Sequence, residues 1–85
     1  MKINQLFDRE SYTYTYIVSD SENNAVIIDP VLEQFDRDAS FIESLSLKLF
    51  FIIETHIHAD HITSAYLLKE KFKSKIAYGS ENDVK

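Results

Sequence analysis

Thr55-His56-Ile57-His58-Ala59-Asp60-His61 contains every histidine of the chain, and four of its side chains can bind a metal: His56, His58, Asp60 and His61. An apolar run, Leu49-Phe50-Phe51-Ile52-Ile53, precedes it, and an amphipathic run from His61 to Phe72 follows. That order predicts a strand feeding a helix, with the histidines at the junction. In extended backbone, side chains two apart point to the same side. If the strand continues to Asp60, then His56, His58 and Asp60 converge at its C-terminal end, and His61 opens the helix. Imidazole and carboxylate are suitable ligands for zinc, iron and manganese. Loops at the carboxyl ends of parallel strands are also where α/β folds bind ligands. One histidine beside a strand is ordinarily a packing or surface residue, whereas three within six positions, with an aspartate in step, form a metal-site pattern.

Outward from this stretch, the chain reads as a small mixed α/β domain. Ile52 and its neighbours are predicted to be a strand buried on both faces, as is Ala25-Val26-Ile27-Ile28. Asp29-Pro30 stops the latter, because proline has no amide for the ladder. Asp29 is then either a turn former or a side chain aimed at whatever occupies the strand ends. Between these strands, Asp36 to Leu47 has helical spacing, with Ala39, Ile42 and Leu45 on one face and Phe41 nearby. Asp36 is the expected N-cap, and Arg37, Asp38 and Glu43 are expected to face away. Strand, helix, strand in this order predicts a right-handed crossover and a parallel pair.

Towards the N-terminus, Tyr12, Tyr14 and Tyr16 alternate with Thr13 and Thr15 across a predicted strand from Ser11 to Ser19. The three tyrosines are read as one face of a sheet, with a ligand-stacking surface as the alternative. The polar turn 20–24 joins this strand to Ala25 in a hairpin, and Lys2 to Asp8 is a candidate edge strand. After the histidines, Ile62, Ala65, Tyr66, Leu68 and Phe72 lie on or near one helix face. Ile76-Ala77-Tyr78 is a last short strand before a polar tail. The pattern is therefore a layered mixed sheet with two helices.

Composition sets bounds on function. A chain of 85 residues makes one small domain, 1–85, with a modest core. Its 45% hydrophobic and 13% aromatic content is that of a globular protein. A net charge of -5 argues against a nucleic-acid partner. Lys69, Lys71, Lys73 and Lys75 around Glu70 are read as a solvated helix face and its end. There is no cysteine, hence neither a disulfide framework nor a thiolate zinc site. No apolar segment is long enough to span a bilayer, and Met1 to Gln5 has no signal-peptide core, so no membrane partner and a cytoplasmic location are expected.

His56-x-His58-x-Asp60-His61 resembles the signature of the metallo-β-lactamase fold superfamily, a four-layer αββα sandwich with its metal between two sheets. The wider context, including Val26-Ile27-Ile28-Asp29-Pro30-Val31-Leu32-Glu33, Arg37-Asp38-Ala39 and Ala59-Asp60-His61-Ile62-Thr63, resembles the persulfide dioxygenases, relatives of the glyoxalase II hydrolases. The resemblance implies the N-terminal half of that sandwich. It also implies a mononuclear Fe(II) acting on glutathione persulfide and dioxygen, with sulfite and glutathione as products. In that branch only His56 would ligate the iron, His58, Asp60 and His61 would orient the ligands from outside, and Asp60 is the candidate catalytic carboxylate. In the hydrolase branch the same four positions would bind two metals such as zinc: His56 and His58 one, Asp60 and His61 the other.

The family's second histidine ligand, its metal-binding aspartate and its glutathione-binding residues lie downstream of this motif. No histidine follows His61, and Asp83 is not assigned as a ligand. A smaller departure is Ser64-Ala65, where the family commonly has Gly-Ser. The expectation for the chain alone is little or no activity, together with self-association through an uncovered sheet face, as a homodimer or larger oligomer. A non-catalytic, self-associating half-domain is the third reading.

Overall fold

The computed structural model describes residues 1–10, 12–55 and 64–78. Its elements follow in the order β1 (Lys2–Asp8), β2 (Thr13–Ser19), β3 (Asn24–Ile28), a 3₁₀ turn (Leu32–Gln34), α1 (Phe35–Ser44), β4 (Lys48–Glu54), α2 (Ser64–Phe72) and β5 (Lys75–Tyr78). The strands form one sheet in the order β1-β2-β3-β4-β5. The pairs β1–β2 and β2–β3 are antiparallel, and β3–β4 and β4–β5 are parallel. This matches the sequence expectation of antiparallel strands followed by strand-helix-strand-helix-strand. Among the described residues no helix is long and apolar enough to cross a membrane.

The core is organised by one cross-strand row. Ile17 pairs with Ile27, Ile27 with Ile52 and Ile52 with Ile76. The first three are fully buried under Ile42 of α1 and Ala65 and Leu68 of α2. Branched side chains stacked in register on a pleated face bury apolar area with little entropy left to lose.

Among the described residues only this face is covered by helices, which corrects the expectation that β3 and β4 are buried on both sides. In β3 the burial alternates: Ala25 and Ile27 are inside, while Asn24, Val26 and Ile28 are half-buried. In β4 both Phe50 and Phe51 are exposed, at 51% and 44%. The cause is a bulge, since Ala25 pairs with Leu49 but Val26 pairs with Phe51. One extra residue resets the alternation, so Leu49, Ile52 and Glu54 are all buried.

On the open face, Tyr16 pairs with both Gln5 and Ile28, and Ile28 pairs with Ile53. The tyrosine stripe is shorter than expected. Tyr12 precedes β2 with φ 58, so only Tyr14 and Tyr16 belong to the strand, and they stack at 6.4 Å between centroids. Phe7 lies 4.8 Å from the Tyr14 ring, and the Gln5 side-chain amide donates to the Tyr16 hydroxyl at 2.9 Å.

The helices depart from the expected bounds in three respects. Helix α1 begins at Phe35 behind the 3₁₀ turn, so Gln34 rather than Asp36 is the N-cap, and it makes no side-chain cap. Leu45 lies beyond the helix and is 45% exposed, and Tyr66 of α2 is 48% exposed. Asp38 does not face away but is fully buried. Arg37 explains how a carboxylate is tolerated there. Its Nε donates to Asp38 Oδ1 at 3.0 Å, and its Nη1 donates to the Phe7 carbonyl at 2.9 Å, which fastens α1 to the end of β1. The Gln34 amide adds a second tie, donating to Asp8 Oδ1 at 2.8 Å.

Burial raises the Asp38 carboxyl above its ordinary value of 3.8, and the Arg37 hydrogen bond and charge only partly offset this. The native state therefore binds this proton more tightly than the unfolded chain. The associated stability is complete below pH 3.8 and is lost as pH rises through the higher native value. Asp38→Asn keeps an oxygen for Arg37 without the charge. Its stability relative to the parent is expected to increase as pH rises from about 4 to 7, as measured by urea unfolding at each pH. Parallel pH profiles for the two proteins would refute this.

Candidate functional site

The carboxyl ends of β3 and β4 lie side by side because the two strands are parallel, and Ile28 pairs with Ile53. One residue further on, each chain leaves its strand, at Asp29 and at Glu54-Thr55. Asp29 adopts a left-handed backbone with φ 56. Aspartate tolerates this conformation better than most residues, and here every polar group of Asp29 is used. Its N–H donates to the Ile53 carbonyl at 2.8 Å. Its carbonyl accepts from the Thr15 hydroxyl of β2 at 2.8 Å. Its carboxylate takes two bonds from Thr55, Oδ1 from the backbone N–H at 2.7 Å and Oδ2 from the side-chain hydroxyl. Of the two readings of Asp29, the second therefore holds in a specific form: the side chain reaches across the strand ends to the first residue of the histidine stretch.

Glu54 is the last residue of β4 and is buried, as the bulge requires. Its carboxyl is pushed up to about 7, first by burial and then by the negative charge of Asp29. Near neutral pH this group is thus divided between its protonated and ionised forms, directly before the candidate donors.

His56, His58, Asp60 and His61 lie outside the described residues, as do Ile62 and the tail containing Asp83. The condition under which three of the donors would share a side, a strand continuing to Asp60, is not met at Thr55. Strand β4 ends at Glu54, and Thr55 is a bend. Among the described residues no group of three or more His, Cys, Asp and Glu is placed to hold a metal. The expected donors are four side chains that follow Thr55 in the sequence. Three imidazoles and a carboxylate fit iron or zinc.

The fold has a counterpart among known proteins. The model of the metallo-beta-lactamase superfamily matches residues 8–85. The chain belongs to this superfamily. Among curated members it is similar to the mitochondrial persulfide dioxygenase ETHE1 of Mus musculus, with 50% identity over 68 residues covering 79% of this chain and 27% of that protein. It is less similar to the hydroxyacylglutathione hydrolase of Crocosphaera subtropica, with 34% identity over 74 residues covering 86% of this chain and 28% of that protein. The crystal structure of ETHE1 from Myxococcus xanthus superposes with a TM-score of 0.83 at 48% identity, covering 96% of this chain and 36% of that one. The chain thus spans about a quarter of the length of the curated relatives it matches. As a metallo-beta-lactamase superfamily member it contributes one mixed sheet with two helices on one face, the layer pair that the resemblance implies.

Two supporting residues were not anticipated. In the sequence Thr15 reads only as part of an alternating strand, and Glu54, next after the apolar run, carries no reading. A buried threonine on the helix-facing side of β2 leaves no sequence signal for the carbonyl it serves. The burial of Glu54 follows from the bulge, which the unbroken apolar run before it does not announce.

Thr15→Val preserves shape and leaves the Asp29 carbonyl without its donor. The expected loss is about 1 kcal/mol of unfolding free energy, the usual net value of one such bond, measured by urea denaturation. An unchanged midpoint would show that the bond carries no stability.

Proposed function

We propose that this chain is the metal-donor part of a persulfide dioxygenase. The greater identity to a persulfide dioxygenase than to a hydroxyacylglutathione hydrolase, 50% against 34%, supports that branch. In this reading His56 ligates Fe(II), His58, Asp60 and His61 orient the coordinating groups, and Asp60 is the carboxylate closest to the chemistry. The iron would bring the sulfur of glutathione persulfide together with dioxygen, for which open coordination positions are needed. The chain itself supplies the Asp29–Thr55 hydrogen bonds and, next to Thr55 in the sequence, a buried Glu54 whose carboxyl is pushed up by burial and by the charge of Asp29. With no histidine beyond His61, the 85-residue chain alone is expected to hold iron weakly and to consume no oxygen.

The deciding experiment replaces the matching part of the mouse dioxygenase with this chain. The chimaera is expected to bind one equivalent of iron and to consume oxygen with glutathione persulfide, and His56→Ala is expected to abolish both. Two equivalents of metal and cleavage of a glutathione thioester would instead place the chain in the hydrolase branch.

The open sheet face supports a second proposal, that two copies of this chain cover each other there. Ile3, Phe7, Tyr14, Phe50 and Phe51 are all exposed on this face, and contiguous exposed apolar side chains mark association surfaces. A self-complementary sheet-on-sheet contact needs only this one patch. Sedimentation at micromolar concentration is expected to give a dimer or larger, and Phe51→Lys to shift it towards monomer. A parent monomer that binds no hydrophobic dye would end this proposal.

A further inference from the structure

We propose that the Ser74 hydroxyl is a latch that holds the bulge in β4 and so selects between two registers of that strand. The bulge leaves Phe50 without a partner on β3, because Leu49 pairs with Ala25 and Phe51 with Val26. Phe50 has no partner on β5 either, where the ladder begins at Phe51 and Lys75. An inserted residue interrupts the ladder, and the backbone groups beside it must be satisfied by other means. For the carbonyl of Leu49, next before the insertion, that means is Ser74. Its hydroxyl donates to this carbonyl at 2.6 Å, and both residues are buried. Ser74 is itself held in place. Its N–H donates to the Lys69 carbonyl at 3.2 Å, behind the left-handed turn of Lys73 that ends α2. The latch thus ties the bulge to the end of the second helix.

An unbulged β4 has two ways to run. Holding Leu49 against Ala25 turns Ile52 away from the helices and breaks the isoleucine row. Holding Ile52 against Ile27 instead brings Phe50 opposite Ala25, into the core, and sends Leu49 to the open face. This second register keeps every pair from Phe51 onward. Leu49 and Phe50 are both large and apolar, so the hydrophobic pattern does not choose between it and the bulged strand. The hydroxyl does choose. In the slipped register the Leu49 carbonyl lies one residue back along the strand, about 3.3 Å away, beyond reach of a Ser74 fixed by α2. The latch therefore decides which side chain joins Phe51 on the open face, Phe50 as observed or Leu49 in its place.

The chain has no cysteine, so Leu49→Cys supplies a single thiol whose reaction with a thiol reagent reports the exposure of position 49. Rates are read in dilute, monomeric samples of the 85-residue chain. With Ser74 in place the thiol is expected to be protected. Adding Ser74→Ala is expected to speed its reaction about 10-fold or more, as the buried carbonyl loses its donor and the strand slips. The same pair of chains is then compared in a Phe50→Lys background. There the slipped register would bury a charge, whereas the observed one leaves position 50 exposed. Ser74→Ala is expected to leave the thiol protected in that background. Equal acceleration in both backgrounds would overturn the latch, because the hydroxyl would then serve overall stability and not the register. An unchanged rate on adding Ser74→Ala to Leu49→Cys alone would overturn it too, as would loss of folding in both backgrounds.

Discussion

Three strands of this sheet are joined at their functional end by a single aspartate. Asp29 belongs to the exit of β3, yet its backbone is bonded to β2 and β4 and its side chain to the residue that follows β4. Parallel strands leave their carboxyl ends with unpaired amides and carbonyls, because no hairpin closes them. In this molecule those groups are satisfied by one another. The bonding that closes the sheet is therefore the same bonding that holds Thr55, the first residue beyond β4.

The β4 bulge acts in concert with this arrangement. Without the extra residue, the alternation set by Leu49 would place Phe51 inward and Ile52 outward, breaking the row of isoleucines under the helices. With it, the two phenylalanines go to the open face and Glu54 is drawn in beside Asp29. Two carboxyls thus meet at one strand end, one accepting two hydrogen bonds and the other raised by burial and by its neighbour's charge. Such shifts are common at functional sites.

Much of this was legible in the sequence, though unevenly. The Tyr/Thr alternation, the two apolar runs and Asp29-Pro30 gave the strands and their order, because each reflects a local period or a steric stop. The donor stretch is a reading of residue type, and its donors lie outside the described residues. What escaped were features that depend on a neighbour distant in the chain. Asp38 looks like a solvent-facing helix residue until Arg37 is seen reaching the end of β1. Phe50 and Phe51 look like core until the bulge is known, and a bulge has no signature in an unbroken apolar run. Tyr66 has helical spacing with the buried residues but falls at the margin of the face.

The chain contains a single glycine, at position 79, yet the described residues include five left-handed positions, at Tyr12, Asn23, Asp29, Ser46 and Lys73. At Ser46 and Lys73 the left-handed turn serves only to end a helix. Leu47 N–H bonds the Ile42 carbonyl after the first helix, and Ser74 N–H bonds the Lys69 carbonyl after the second. Glycine would perform that task at lower conformational cost. At Asp29 it would not, because there the side chain is the purpose of the turn. The same backbone angle therefore marks two kinds of position: helix ends open to engineering, where stability can be raised by erasing a side chain, and one corner where the side chain is bound to the backbone it strains.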